Sequence, residues 1–76
     1  MDSDIARMMV DYGDATDRME VARNRMLLPE LLQDEDSSVV AAAVVATGGH
    51  PVFADTLRAL RGKCEHVDVA LASVGY

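Results

Sequence analysis

Apolar residues recur at intervals of three and four along most of the chain. In the first third, Ile5, Met8, Met9, Tyr12, Ala15, Met19, Ala22 and Met26 fall on one helical face. Asp2, Ser3 and Asp4 offer caps and favourable charge at the helix start. The pattern predicts helices over residues 4–12 and about 15–28, divided at Gly13, or one long helix weakened there by about 1 kcal/mol relative to alanine. Asp14 and Arg18 have the i, i+4 spacing of a surface pair. Pro29 ends the stretch, because a residue before proline is biased out of the helical region. The same ring suits the first position of a new turn, here Pro29-Glu30-Leu31-Leu32.

Downstream, residues 39–46 are apolar on all sides and should be buried; Asp34-Glu35-Asp36-Ser37-Ser38 precedes them as caps and Gly48-Gly49 ends them. Pro51 reopens the chain, and Val52, Phe53, Thr56, Leu57 and Leu60 form a stripe that stops at Gly62. Val67, Ala70, Leu71 and Val74 form the last stripe, before Gly75. Residues 39–46 and 67–73 also read as strands, which would make a small α/β fold. The alanine triplet in the first favours helix, and a three-stranded parallel sheet in so short a chain would leave a face uncovered. The expected fold is therefore all-α, a single small domain of four to six short helices packed as antiparallel hairpins.

The length of 76 residues makes that domain marginal, since a chain this size buries only about 60–65% of its unfolded surface. Aromatic residues are 4% of the chain, so the core is expected to be aliphatic and rich in methionine. Phe53, on its stripe, is expected to be a core residue. With one cysteine, Cys64, there is no internal disulfide framework. A net charge of −6 argues against direct nucleic-acid binding, which draws on Lys and Arg at phosphates, and against anionic membranes. No segment reaches the roughly 20 apolar residues that span a bilayer. The acidic start, Met1-Asp2-Ser3-Asp4, lacks the basic flank of a secretory signal, and a cytoplasmic setting is the expectation.

The second half also echoes itself. Leu32, Val39 and Ala42 recur 28 residues later as Leu60, Val67 and Ala70. Leu31-Leu32-x-Asp34-x-Asp36-x-x-Val39-x-x-Ala42-Ala43 resembles the turn and second helix of HEAT-like repeats, and Leu57-x-x-Leu60 with Val67-x-x-Ala70-Leu71-x-x-Val74-Gly75 resembles a following unit. Val21-Ala22-Arg23-Asn24 with Leu28-Pro29-Glu30-Leu31-Leu32 is similar to the leucine-rich-repeat variant, another short α-solenoid unit. The resemblance spans residues 20–76. Val40 stands where arginine is usual, and Gly62-Lys63-Cys64-Glu65 lacks the paired aspartates. It implies an α-solenoid array, or a piece of one, that binds other proteins. On this basis residues 1–28 are a Met-rich amphipathic segment and 29–76 a helical-hairpin, repeat-like segment.

Candidate chemistry is sparse. His50, Cys64 and His66 are the only soft ligands, and Cys64 and His66 at i, i+2 point to different helix faces, so no metal site is expected. Asp34-x-Asp36-x-Ser38 opens like a calcium loop, but Val39 and Val45 occupy the positions that need glycine and glutamate. Gly48-Gly49-His50-Pro51 could hold an anion on backbone N–H groups, yet no P-loop lysine follows. Met8-Met9-Val10-Asp11 could be a strand ending in a carboxylate, as in a metal-dependent phosphate-processing enzyme fragment, without a clear second acid. No catalytic residue and no cofactor is assigned, and an enzyme is not expected.

The expected role is a non-catalytic acidic module that binds another protein through a helical face. The alternative is a small inhibitor of the phage or mobile-element kind that blocks a basic, nucleic-acid-binding surface of its target. Glu30, Asp34, Glu35 and Asp36 are the candidate partner-binding residues, because no Lys or Arg interrupts the chain between Arg25 and Arg58. The methionine face suits a partner or a homo-oligomer contact as well as a core.

Overall fold

A computed structural model of residues 1–76 is all-helical. Six α-helices follow in order: α1 (Ser3–Tyr12), α2 (Ala15–Arg23), α3 (Leu28–Leu31), α4 (Ser37–Thr47), α5 (Ala54–Leu60) and α6 (Glu65–Ser73), with a 3-10 turn (Pro51–Phe53) leading into α5. The segments that also read as strands, 39–46 and 67–73, lie in α4 and α6. Met8–Asp11, read as a strand in the enzyme alternative, is part of α1.

Local signals place most boundaries. The Asp2 carboxylate accepts from Asp4 N–H at the start of α1. Asp14 and Asp17 form a reciprocal capping box at the start of α2. Asp36 accepts from Ser38 and Val39 N–H at the start of α4, and Gly48 ends that helix in the left-handed region at φ 60°. One boundary differs from the sequence expectation. α2 stops at Arg23 rather than near residue 28, and Arg25 and Leu27 adopt left-handed φ of 58° and 54°. Such positions cost non-glycine residues roughly 1–3 kcal/mol. The reversal turns Leu28, Leu31 and Leu32 into the core, where all three are buried, and that burial offsets the strain.

α4 is the centre of the fold. It packs between α2 and α6, with α3 also against it; α1 lies on α2, and α5 lies on α6. The largest fully buried side chains are Leu31, Leu32, Leu57, Leu71, Val21, Val39 and Val44. The core is aliphatic as expected, but it is not built from methionine. Met9, Met19 and Met26 pack at its edge, and Met1 and Met8 are exposed. Nor does α1 bury the face that the spacing suggested. It docks through Ala6, with Met9 and Val10 beside it, and leaves Ile5, Met8 and Tyr12 in solvent. A small side chain at the contact lets the helix backbones approach closely. Phe53 is likewise at the edge of the core, partly exposed.

Three helices, α3, α5 and α6, start without a side-chain cap, and α6 is the longest of them. Its N-cap, Cys64, has extended backbone geometry and no side-chain cap bond. Cys64→Ser would place a hydroxyl acceptor beside the free first-turn N–H groups. The expected outcome in thermal melts is a gain of about 0.5–1 kcal/mol. A loss of that size would show that the thiol contributes through packing instead.

Candidate functional site: an open groove across three helices

The four acidic residues singled out in the sequence take different structural roles. Glu30, on α3, is bonded to the Arg7 guanidinium of α1, which also holds Asp11. Hydrogen bonding to Arg7 holds the Glu30 carboxyl below its ordinary value despite some desolvation. Asp34 accepts from Arg18 Nε at 2.7 Å, with the two side chains 10% and 18% exposed, and also accepts from Asp36 N–H. That hydrogen bond raises the Arg18 pKa. Asp36 caps α4. Glu35 alone is exposed and free of ion pairs. The structure thus draws Asp11, Glu30, Asp34 and Glu35 around one shallow depression beside Val10, Arg18 and Gln33.

The other polar candidates serve local structure. His50 Nδ1 accepts from Val52 N–H, and Thr47 Oγ1 accepts from Gly49 N–H, so the Gly49 donor of the turn and the Val52 donor that follows it are already engaged. Cys64 is the α6 N-cap, and His66 follows in its first turn.

The most developed concave surface was not anticipated. A groove of about 810 Å³ crosses α2, α4 and α6. Ala41, Ala42 and Ala70 give it an apolar lining of small side chains; Met19, Val45 and Val69 add larger ones. Val45 and Val69 are both more than half exposed. Arg23, Ser38, Glu65, His66 and Ser73 supply its polar lining. The cause lies in the composition of α4. That helix is apolar around its circumference, but α2, α3 and α6 cover only part of it, leaving Ala42 half-buried and Val45 open. The surface is suited to receiving apolar side chains of another chain, with polar groups to fix orientation.

Comparison with protein-family models, curated proteins and solved structures found no match.

Proposed function

We propose that the protein is a non-catalytic interaction module that takes an apolar segment of a partner protein along the α2–α4–α6 groove. The observation that carries this reading is the exposure of Val45 and Val69 beside an alanine-lined floor. Two valines on neighbouring helices in one concave surface form a contiguous apolar patch, unlike scattered exposed residues. The packing of α4 between α2 and α6 also sets three neighbouring helices along one surface.

A second reading, the acidic inhibitor, is favoured by the gathering of Asp11, Glu30, Asp34 and Glu35 around two guanidiniums. A basic partner surface would dock there with salt-sensitive kinetics.

Site-specific photocrosslinking in the native host separates the two. A crosslinker at Val69 should capture a discrete partner, and one at Lys63, outside the groove, should not. With the crosslinker kept at Val69, Val45→Glu should abolish capture while circular dichroism stays unchanged, since Val45 is exposed. Capture that survives this change but is lost with Glu35→Lys and with added salt would replace the groove with the acidic face.

A further inference from the structure

No residue of α1 lines the groove, yet α1 carries the longest row of exposed large apolar side chains. Ile5, Met8 and Tyr12 are 54%, 62% and 86% exposed, and Met1 extends the row below the helix. Their spacing of four, three and four is that of a coiled-coil seam. The inner face of the helix is already occupied, because Ala6, Met9 and Val10 pack toward α2. The seam is therefore a second apolar face with no partner inside the molecule.

The residues that flank such a seam set the choice of partner. With Ile5 and Met8 as the two seam positions, the flanking positions fall at Asp4 and Asp11 on one side and at Asp2 and Met9 on the other. Three of these four are aspartates. Asp11 shares the single Arg7 guanidinium with Glu30, so that cluster keeps a net negative charge. No lysine or unpaired arginine lies on α1. We propose that this face docks an amphipathic helix of a partner protein whose apolar seam is flanked by lysine or arginine.

A second copy of the chain does not fit the same face. A parallel pairing sets Asp4 and Asp11 against the Asp2 side of the other copy; an antiparallel pairing sets Asp4 against Asp11. Aspartate meets aspartate in the antiparallel pairing, and neither pairing sets a cation against Asp4 or Asp11, between molecules that each carry a net −6. The contact is also short. A helix of ten residues is about 15 Å long, so the apolar contact alone is weak for any occupant and the sign of the flanking charges decides which one is held. An oppositely charged helix gains from the same flanks that repel a copy. Met8 can adapt to its side chains, and Tyr12 offers both a ring and a hydroxyl.

The test uses the full chain and synthetic three-heptad helices with leucine seams, followed by fluorescence anisotropy. A helix with lysine flanks should bind in the micromolar range at low salt and release as salt rises. Its glutamate-flanked counterpart, and a scrambled peptide of the same lysine content, should not bind. Ile5→Glu with Met8→Glu should weaken binding about tenfold or more, with an unchanged melt because both residues are exposed. This substitution adds negative charge, so adsorption by charge alone would strengthen, and that result would overturn the proposal. Unchanged binding would overturn it too, as would binding lost only with Val69→Glu, which would place the helix in the groove. A dimer by sedimentation that dissociates on Ile5→Glu would assign the face to a second copy instead.

Discussion

Leu57→Ala is expected to lower the melting temperature by about 12–24 °C. Leu57 is fully buried, and it is the only residue of α5 that is. Around it, Val52 is exposed, and Phe53 and Leu60 are partly so. Leu57 is therefore the one fully buried anchor of α5, with Phe53 and Leu60 packed at the core edge beside it. Truncating a buried leucine to alanine costs about 2–5 kcal/mol, through lost transfer energy and the cavity left behind. At about 3 kcal/mol, each kcal/mol shifts the midpoint of a domain this small by about 4–8 °C. The total stability at this size is about 4–11 kcal/mol, so a substantial part of it is removed. Phe53→Ala, which opens a site already partly in water, should cost less despite the larger side chain. Thermal and urea denaturation of the two variants side by side check this order. Equal losses would show that the 3-10 turn and α5 are held jointly, by Phe53 as much as by Leu57.

The elements were legible where the signal is local. Asp36 and Gly48 bound α4 because a cap needs only a carboxylate next to the first N–H groups, and a left-handed stop needs only glycine. The end of α2 was hidden because its cause is distant. Arg25 and Leu27 accept left-handed conformations so that the leucines after them reach the core, and nothing in their own identity announces it. The partner of Arg18 was hidden in the same way. Asp14 lies at the right helical spacing but is drawn into the capping box with Asp17, which leaves Arg18 for Asp34 from the next connection. Three aspartates or glutamates in a row exceed what one helix start can use, and the pattern marks surplus charge. It did not reveal that Asp34 spends its charge on Arg18, leaving Glu35 as the free one. The groove had two signals in the sequence. Val69 stands off the Val67, Ala70, Leu71, Val74 stripe, so as a helix residue it belongs outside. Residues 39–46 offer more apolar faces than so short a chain can cover. What the sequence lacks is the crossing geometry that sets the two exposed valines in one concave surface with Met19 of α2.

Gly48→Ala and Gly49→Ala should differ sharply, although the two glycines are adjacent and both lie in the left-handed region, at φ 60° and 75°. At Gly48 an added Cβ would meet open space. Its cost is the backbone penalty of a left-handed alanine alone, about 1 kcal/mol. At Gly49 the added Cβ would fall well inside van der Waals contact with the Val74 carbonyl oxygen, at the end of α6. That atom is backbone, so it cannot swing aside as a side chain would. Either α6 moves or the loop does, and overpacking of this kind adds about 1–3 kcal/mol. Gly49→Ala should therefore lose about 2–4 kcal/mol. The same displacement acts on the α4–α6 contact, and so on the groove that these helices form with α2. Under conditions where the variant is still folded, a crosslinker at Val69 should capture the groove partner less efficiently in Gly49→Ala than in Gly48→Ala. Melting curves give the first comparison and crosslinking yields the second. Matching stability losses would mean that the loop relaxes away from α6 without strain, and that the close approach of Gly49 to Val74 does not set the position of the helix.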